Sequence, residues 1–196
     1  MALEDKTTET ENDEKLDKEE DRDYVRRSKH GDENAFGFLY RKYREKVYLH
    51  IYYMVSNKDD AMDLSTDSFI KAYKSIERFR EESSFYTWIL SISTRVAIDY
   101  LRKRKKTVSL QHASDIIDDP VDHAENIDRE RITNLIEEGQ KQLSPKEKAC
   151  FTLRFFEEKS VKETAQIMGI KNGTVKSLYY RAFNKMKDYI SKIYLR

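Results

Sequence analysis

The chain has 196 residues, of which 37% are charged and 38% are hydrophobic. This hydrophobic share lies below the roughly 45–50% of typical globular domains, so we expect one or two small domains with much solvated or ligand-binding surface. The apolar runs are too short for a transmembrane helix, and the N-terminus lacks the apolar segment of a signal peptide. The one cysteine, Cys150, excludes an intramolecular disulfide and fits a cytoplasmic location.

The net charge of +1 conceals an alternation along the chain. Residues 1–23 and 107–140 each carry a net charge of −7, whereas residues 24–106 carry +7 and residues 141–196 carry +8. The first acidic segment has almost no large apolar residue, so we predict a disordered tail. The second is predicted to be a linker. Two basic modules separated by acidic segments favour a polyanionic partner over a random surface distribution of charge.

The first basic module has the periodicity of three amphipathic helices, over residues 33–55, 57–76 and 84–106. Asn57 is the predicted N-cap of the second helix, which has acidic residues in its first turn. The third helix ends in the basic run 102–106. The residues predicted to face the core are Phe36, Leu39, Tyr40, Tyr43, Val47, Ile51 and Met54, then Ala61, Leu64, Phe69, Ala72, Tyr73 and Ile76, then Trp88, Ile89, Ile92, Val96 and Leu101.

The last module has the local signals of a helix-turn-helix. Ser144, followed by Pro145 and Glu147, predicts one capping box, and Ser160 with Glu163 predicts a second. Gly169 is predicted to end the short helix, and Asn172 to cap the next. In that next helix Val175, Leu178, Ala182, Phe183 and Met186 are predicted to face inward. A basic face is left outward, where a helix-turn-helix contacts the DNA major groove. A plain helical bundle with a solvated basic face is the alternative.

The stretch "DDAMD" raises the possibility of a magnesium site. On a helix Asp59, Asp60 and Asp63 share a face, and carboxylates are ligands that Mg²⁺ prefers. The spacing recurs at residues 118–122, but Pro120 breaks the helix that would align those carboxylates. The four histidines have no metal-ligand spacing, and neither a glycine-rich phosphate loop nor a G-x-S-x-G motif is present. We therefore predict no catalytic residue, no metal and no cofactor.

Several motifs in a fixed order resemble bacterial RNA polymerase sigma factors of the extracytoplasmic-function (ECF) group. "GDENAFGFLYRKY", "DDAMDLSTDSFIKAY", "IERFREESSFYTWILSIS" and "AIDYLRKRKK" resemble that family's region 2, and "LSPKEKACFTLRFFEEKSVKETAQIMGIKNGTVKSLYYRA" resembles its region 4. The resemblance covers roughly residues 28–106 and 140–190. It implies an all-α protein in which two small helical domains, 24–106 and 141–196, are joined by a flexible acidic linker.

The resemblance also implies partners and the residues that contact them. Core RNA polymerase is expected to bind through its largest-subunit clamp helices and its flap, and the clamp contacts are Asp60, Asp63, Leu64 and Asp67. Promoter DNA is a second partner, and an anti-sigma factor a third. The acidic "DDAMD" stretch is then a docking surface rather than a metal site.

Two DNA-contacting sets follow from the same resemblance. The downstream (−10) element would be contacted by Phe85, Tyr86, Arg95, Arg102, Lys103 and Arg104, with the aromatic rings available to stack on an unpaired base. Core packing is the alternative for Phe85 and for Trp88. The upstream (−35) element would be contacted by Thr174, Lys176, Ser177, Tyr180, Arg181 and Lys185. Arg95 stands where the family often has Asn, and Leu178 where it usually has Arg.

Two other classes of protein compete with this interpretation. A DNA-binding regulator that does not bind polymerase would explain the last module equally well, but it leaves the acidic helix and the aromatic helix of the first module unexplained. A helical anti-regulator that binds only proteins would not need a net charge of +8 on the last module. Co-purification with core polymerase separates the three classes.

Overall fold

The computed structural model describes residues 19–110 and 135–194, and every regular element in them is helical, as the sequence predicts. The predicted linker centre and the second aspartate spacing lie outside these residues. The first module contains α1 (19–29), α2 (Glu33–Val55), α3 (Lys58–Ser75), a 3₁₀ turn (Ile76–Arg78) and α4 (Phe85–Leu110). The second contains α5 (135–140), α6 (Pro145–Phe151), a π-helical turn (Thr152–Phe156), α7 (Val161–Met168) and α8 (Asn172–Tyr194).

In the first module, helices α2, α3 and α4 enclose one apolar core. Asp32 caps α2 by accepting a hydrogen bond from the Ala35 backbone, and Asn57 caps α3 by accepting from Asp60 N at 2.8 Å, as predicted. The helices are joined at Ser56, which has a φ of 53° in the left-handed region. The turn therefore brings α3 back against α2 within two residues.

Two tyrosines predicted to be core residues lie at the surface instead. Tyr40 is 37% exposed and Tyr73 is 41% exposed. Each nevertheless contacts the core with one ring edge, since Tyr40 packs on Phe69 with ring centroids 4.9 Å apart and Tyr73 packs on Phe36 at 5.0 Å. The polar tip of a tyrosine favours such a half-buried position, which an apolar periodicity does not distinguish from full burial.

The segment 1–23, predicted to be a disordered tail, overlaps α1, because residues 19–23 are helical. Asp21 is the reason, since its side chain is buried against α2. Its carboxylate accepts hydrogen bonds from Lys42 Nζ at 2.5 Å and from the Tyr43 hydroxyl. These partners lie 21 and 22 residues further along the chain. The acidic sequence around Asp21 therefore predicted a solvated segment, whereas pairing with α2 makes residues 19–23 part of a helix.

The second module contains the predicted helix-turn-helix. Both capping boxes are present, at Ser144 with Glu147 and at Ser160 with Glu163. Gly169 ends α7 with a φ of 63°, as expected of a glycine C-cap. Two details differ from the prediction: α8 already includes Asn172, so its cap precedes that residue, and Phe183 is 48% exposed rather than inward. The five-residue π turn between α6 and α7 is a further feature that the sequence did not indicate.

The two modules contact each other directly. Helix α7 and helix α6 both pack against α4, and Leu90, Leu153 and Ile167 form an apolar cluster shared by the two modules. Among the described helices, none is long and apolar enough to cross a lipid bilayer.

Candidate polymerase and promoter DNA interfaces

The outer face of α3 combines acidic and apolar side chains. Asp63 and Asp67 are exposed, as predicted for docking residues, and Leu64 between them is partly buried against the core. The same face exposes 58% of Met62 and 46% of Ile70, which the sequence analysis did not single out. Large apolar side chains beside exposed carboxylates are typical of a protein-binding surface, because they supply contact area while the charges set orientation.

Asp60, the third predicted docking carboxylate, contacts α4 in this structure. It accepts a hydrogen bond from the Tyr100 hydroxyl, and its Oδ2 lies 3.5 Å from Arg104 Nη1. A residue predicted to bind polymerase is therefore paired with one predicted to bind DNA phosphate. Among the described residues, no group of three or more His, Cys, Asp or Glu side chains is placed to hold a metal ion.

Phe85 is a core residue and not a DNA-stacking residue, contrary to the predicted set. Its side chain is 2% exposed and lies among the rings of Phe36, Tyr43 and Phe79, with centroid distances of 5.6–6.4 Å. Trp88 stacks on Phe79 at 4.7 Å and keeps part of its surface accessible. The alternative of core packing is thus correct for Phe85, because three aromatic rings from α2 and from the segment before α4 converge on it.

Tyr86 is partly buried, and its hydroxyl is bound to the other module. It donates a hydrogen bond to Glu157 Oε2 at 2.6 Å, and its ring stacks on Tyr43. Burial and the adjacent Glu157 carboxylate raise the pKa of Tyr86 above its ordinary value. In this conformation the ring is therefore not presented to an incoming base.

A cavity of about 240 Å³ lies beside Trp88, at the start of α4. Its walls combine aromatic, hydroxyl and guanidinium groups: Arg78, Phe79, Arg80, Glu82, Ser83, Thr87, Trp88 and Ser91, closed on one side by Gln166 and Ile167 of α7. Further along α4, Arg95 is exposed. Arg102 is also exposed, and its Nη1 lies 3.7 Å from Oδ1 of Asp99. Lys103, the next residue, is exposed as well.

The outward face of α8 matches the prediction closely. All six side chains predicted to contact the upstream element are exposed, namely Thr174, Lys176, Ser177, Tyr180, Arg181 and Lys185. Val175, Leu178, Ala182 and Met186 are buried on the opposite face. Because Leu178 is 5% exposed, it belongs to the core of the helix-turn-helix, and an arginine contact at this position is absent in this chain.

Glu147 orders two of these basic side chains from beneath. Its side chain is 6% exposed, and it accepts from Arg181 Nε at 3.2 Å, Lys185 Nζ at 2.7 Å and Ser144 N at 2.9 Å. Burial alone would raise its pKa, but the hydrogen bonds from Lys185, Ser144 and Arg181 outweigh burial and lower the pKa to about 2. Glu147 was predicted only as a capping residue, and its spacing of 34 residues from Arg181 gave no local signal of this second role.

An apolar groove borders the same helix. It is lined by Arg154, Val161, Val175, Lys176, Tyr179, Tyr180 and Phe183, with a volume of about 270 Å³. Phe155 and Phe183 are each about half exposed on this module. The sequence analysis did not predict this groove, because it placed Phe183 in the core.

Comparison with known proteins identifies both modules. Residues 39–107 match the family model for sigma-70 region 2, and residues 134–186 match the model for sigma-70 region 4. The chain is 32% identical over 165 residues to the ECF RNA polymerase sigma factor BldN of Streptomyces coelicolor, covering 81% of this chain and 61% of that protein. It is 32% identical over 185 residues to the ECF RNA polymerase sigma-E factor of Haemophilus influenzae, covering 88% of this chain and 96% of that protein.

A solved structure has a similar fold. It is the sigma factor RpoE of Bartonella quintana in complex with the anti-sigma factor NepR. The TM-score is 0.63 at 21% identity, and the match covers 80% of this chain and 96% of the other.

Proposed function

This chain belongs to the ECF group of RNA polymerase sigma factors and directs transcription initiation, and we propose which of its surfaces bind polymerase and promoter DNA. The observation that carries the proposal is the presence on one chain of an acidic, partly apolar face on α3 and a basic reading face on α8. The first suits a basic protein partner and the second suits DNA.

The clamp helices of the polymerase dock on α3 through Met62, Asp63, Asp67 and Ile70 in this proposal. The exposed carboxylates meet basic groups while the two apolar side chains become buried. Asp60 contributes indirectly, because its contacts with Tyr100 and Arg104 fix α3 against α4. Leu64 also contributes indirectly, because it packs against the core of the first module beneath the docking surface.

The cavity beside Trp88 is the proposed site for an unpaired base of the downstream element. Trp88 lines the cavity and is partly exposed, so it supplies an aromatic surface for the base, and the hydroxyls of Ser83, Thr87 and Ser91 offer hydrogen bonds. Arg95, Arg102 and Lys103 lie along α4 beyond the cavity, where they would bind phosphates or a base edge. Phe85 supports this site as a core residue and does not contact DNA.

Helix α8 is the proposed reader of the upstream element. Thr174, Lys176 and Ser177 lie near its N-terminus, the part of a recognition helix that contacts base edges. Arg181 and Lys185 lie one to two turns further on and are oriented by Glu147, which leaves them suited to positioning contacts as well as base contacts. Tyr180, 69% exposed, adds a ring that can contact the sugar–phosphate backbone.

Two further partners are proposed for the second module. The groove lined by Val161, Tyr179 and Phe183 has the apolarity to receive a helix of the polymerase flap. An anti-sigma factor is expected to regulate the protein, as the structural relative in complex with NepR suggests by analogy. We also propose that the chain has no catalytic activity of its own and acts in the cytoplasm with polymerase.

The test is reconstituted transcription with core polymerase. We expect Asp63→Lys to weaken core binding about tenfold, because a charge reversal against a basic partner is worth about 1.4 kcal/mol or more. Glu45→Lys is the matched control, since Glu45 is an exposed acid on α2, away from the proposed surface. Equal core affinity of the two variants, with helicity preserved, would refute the α3 docking surface. DNA binding without any polymerase binding would favour the regulator class.

A further inference from the structure

The loop between the 3₁₀ turn and α4, residues 79–84, shapes the cavity beside Trp88. Arg80, Glu82 and Ser83 of this loop line the cavity. The loop is neither helical nor extended in a strand, so it lacks the regular backbone hydrogen bonds that fix α3 and α4. Its position therefore depends on the contacts that its side chains make with the rest of the first module.

Glu81, in the middle of this loop, has a backbone conformation that is unfavourable for a residue with a side chain. Its φ is 60°, in the left-handed region. Glycine would adopt this conformation without steric cost, but glycine could not supply a carboxylate. Backbone conformations of this kind persist where surrounding contacts hold them in place. The contact that holds Glu81 comes from α1.

Two cations of α1 surround the Glu81 carboxylate. Lys29 Nζ donates a hydrogen bond to Oε1 at 2.6 Å, and Arg26 Nε lies 4.0 Å from Oε2. The side chains of Lys29 and Glu81 are 21% and 25% exposed, so water and salt screen this pair less than a fully exposed one. Lys29 Nζ also lies 5.7 Å from the centroid of the Phe79 ring, which stacks on Trp88. Lys29 therefore contacts both the start and the middle of the loop.

Helix α1 is itself fixed on the core of the first module. Val25 is 1% exposed and belongs to the apolar cluster of that core. Near the other end of α1, the Asp21 carboxylate accepts hydrogen bonds from Lys42 and Tyr43 of α2. Lys29 is the last residue of this helix. The loop is thus tied to a helix that is packed on the core, and not to a second irregular segment.

The direction of the Glu81 side chain matters for the cavity. Its carboxylate contacts α1, whereas its two neighbours, Arg80 and Glu82, line the cavity. Because each neighbour is joined to Glu81 through a planar peptide group, holding Glu81 restricts the positions of both. A binding site discriminates between similar ligands only when its groups are held in place by a supporting layer of contacts. The pair of Lys29 and Glu81 provides such a layer.

We propose that Lys29 and Glu81 are positioning residues for base selection: their ion pair ties the loop 79–84 to α1 and so fixes the walls of the cavity beside Trp88. The effect on base selection rests on the proposed function of that cavity as the site for an unpaired base. An ion pair that only stabilised the fold would change the free energy of unfolding and leave base selectivity intact.

The first measurement follows the loop in the full-length protein without polymerase or DNA. Trp88 is the one tryptophan of the chain, so its fluorescence reports on the cavity directly. We expect Lys29→Ala to raise the acrylamide quenching constant of Trp88 and to shift its emission to the red, because the freed loop admits water and quencher. Arg27→Ala is the matched control, since Arg27 lies on the same helix but pairs with Asp32 at 2.8 Å. It should leave both signals at their wild-type values.

The second measurement is base selectivity in the holoenzyme. Core polymerase reconstituted with each full-length variant is bound to a pool of fork DNAs in which the single-stranded downstream element is randomised, and the bound molecules are sequenced. The measured quantity is the ratio between the most and the least enriched base at the most selective position. We expect Lys29→Ala and Glu81→Ala to lower this ratio about fivefold, part of the discrimination that one well-placed contact set provides. Arg27→Ala should leave it unchanged.

Rescue variants separate positioning from a general loss of structure. Lys29→Arg keeps the cation and should retain wild-type selectivity. Lys29→Glu and Glu81→Lys should each lose selectivity, whereas the protein that carries both substitutions restores an ion pair and should recover selectivity and the quenching constant. Circular dichroism and core-polymerase titration check that every variant folds and binds core equally, because neither position lies on α3.

The outcomes distinguish this proposal from the proposed base site. If the wild-type holoenzyme showed no base preference in the downstream element, the base site itself would be refuted. If wild type showed a preference that Lys29→Ala retained, the base site would stand and the positioning role would be refuted. An equal loss in Lys29→Ala and Arg27→Ala, or no recovery in the doubly substituted protein, would also overturn the proposal. Unchanged quenching of Trp88 in Lys29→Ala would show that the ion pair does not hold the loop.

Discussion

The two proposed DNA surfaces of this protein are presented in different ways. On α8 all six predicted residues are exposed, because the apolar stripe of the helix decides which side is buried, and the preceding helices α6 and α7 are bounded by local capping signals. At the start of α4, Phe85 is buried and Tyr86 is bound to Glu157 of the other module. A surface encoded by local signals is presented as soon as its module folds, whereas one assembled from distant residues depends on the whole chain.

The largest expected effect comes from truncating a side chain of the aromatic core beneath α4. We expect Phe85→Ala to lower the free energy of unfolding by about 3–5 kcal/mol, as for other buried phenylalanines. Arg95→Ala, on the exposed face of the same helix, should change stability by less than about 0.5 kcal/mol and instead weaken binding to a single-stranded downstream element. Urea unfolding and oligonucleotide binding measure the two effects. If the Phe85→Ala variant were as stable as wild type and lost only DNA binding, Phe85 would be a DNA-contact residue and not a core residue.

Substitution of Glu147 tests whether the exposed basic surface of α8 depends on a residue that is distant in sequence. We expect Glu147→Gln to destabilise the second module by about 2–4 kcal/mol, because it breaks a buried carboxylate that pairs with two cations and a backbone N–H. Glu163→Gln, which changes the same capping-box position in an exposed setting, should cost about 0.5–1 kcal/mol. Thermal unfolding of both variants provides the comparison.

The pH dependence of Glu147 follows from its lowered pKa of about 2. A carboxyl group with a folded-state pKa below its ordinary value of 4.5 binds fewer protons in the folded state. Its stabilising effect is therefore complete above about pH 4.5 and disappears as the pH falls through about 2. The stability difference between wild type and Glu147→Gln should shrink over that window. A difference that is constant from pH 7 to pH 2 would show that the charge of Glu147 is not what stabilises the module.

Within α8, Arg181 and Lys176 are expected to have different roles in DNA recognition. Arg181→Ala should relax base preference at the upstream element by about 1–3 kcal/mol if it contacts guanine, or remove a positioning phosphate contact. Lys176→Ala should weaken binding to all sequences and reduce the salt slope by about 1, as expected for one phosphate contact. Transcription from promoters with single-base changes, at two salt concentrations, distinguishes the roles. Wild-type behaviour of both variants across the panel would exclude α8 as the reader.

Asp60 and Asp63 give the smallest expected separation, on neighbouring turns of α3. Asp60→Asn should lower stability by about 1 kcal/mol through its lost contacts with Tyr100 and Arg104, and leave the docking face intact. Asp63→Asn should leave stability within about 0.5 kcal/mol and weaken core binding instead. Chemical unfolding and core-polymerase titration are measured on both. A reversed pattern would mean that Asp60, and not Asp63, faces the polymerase.

Much of the second module was predictable because its determinants are close in sequence. Ser144 and Glu147, Ser160 and Glu163, and the glycine at position 169 act within four residues, and all were predicted in their observed roles. The inward orientation of Phe183 was the failure there. An apolar residue at a helical spacing is expected inside, but the groove beside α8 leaves this ring half exposed.

Contacts between distant residues account for what the sequence analysis missed. Asp21 is ordered by Lys42 and Tyr43, and Asp60 is turned toward Tyr100 and Arg104. Each of these acids looked solvated or solvent-facing in its local context. A salt bridge or hydrogen bond between residues separated by 20 or 40 positions leaves no periodic pattern that could predict it.

The sequence by itself determined the helical class, the two basic modules, the helix-turn-helix and the faces of α3 and α8, because helical periodicity and capping depend on residues three or four positions apart. Only the tertiary structure decided that Phe85 is buried, that Glu147 orders Arg181 and Lys185, and that Glu157 reaches Tyr86 and His50. The reason is physical: burial and the pairing of buried charges depend on which surfaces meet, and that is a property of the packed chain rather than of any one helix.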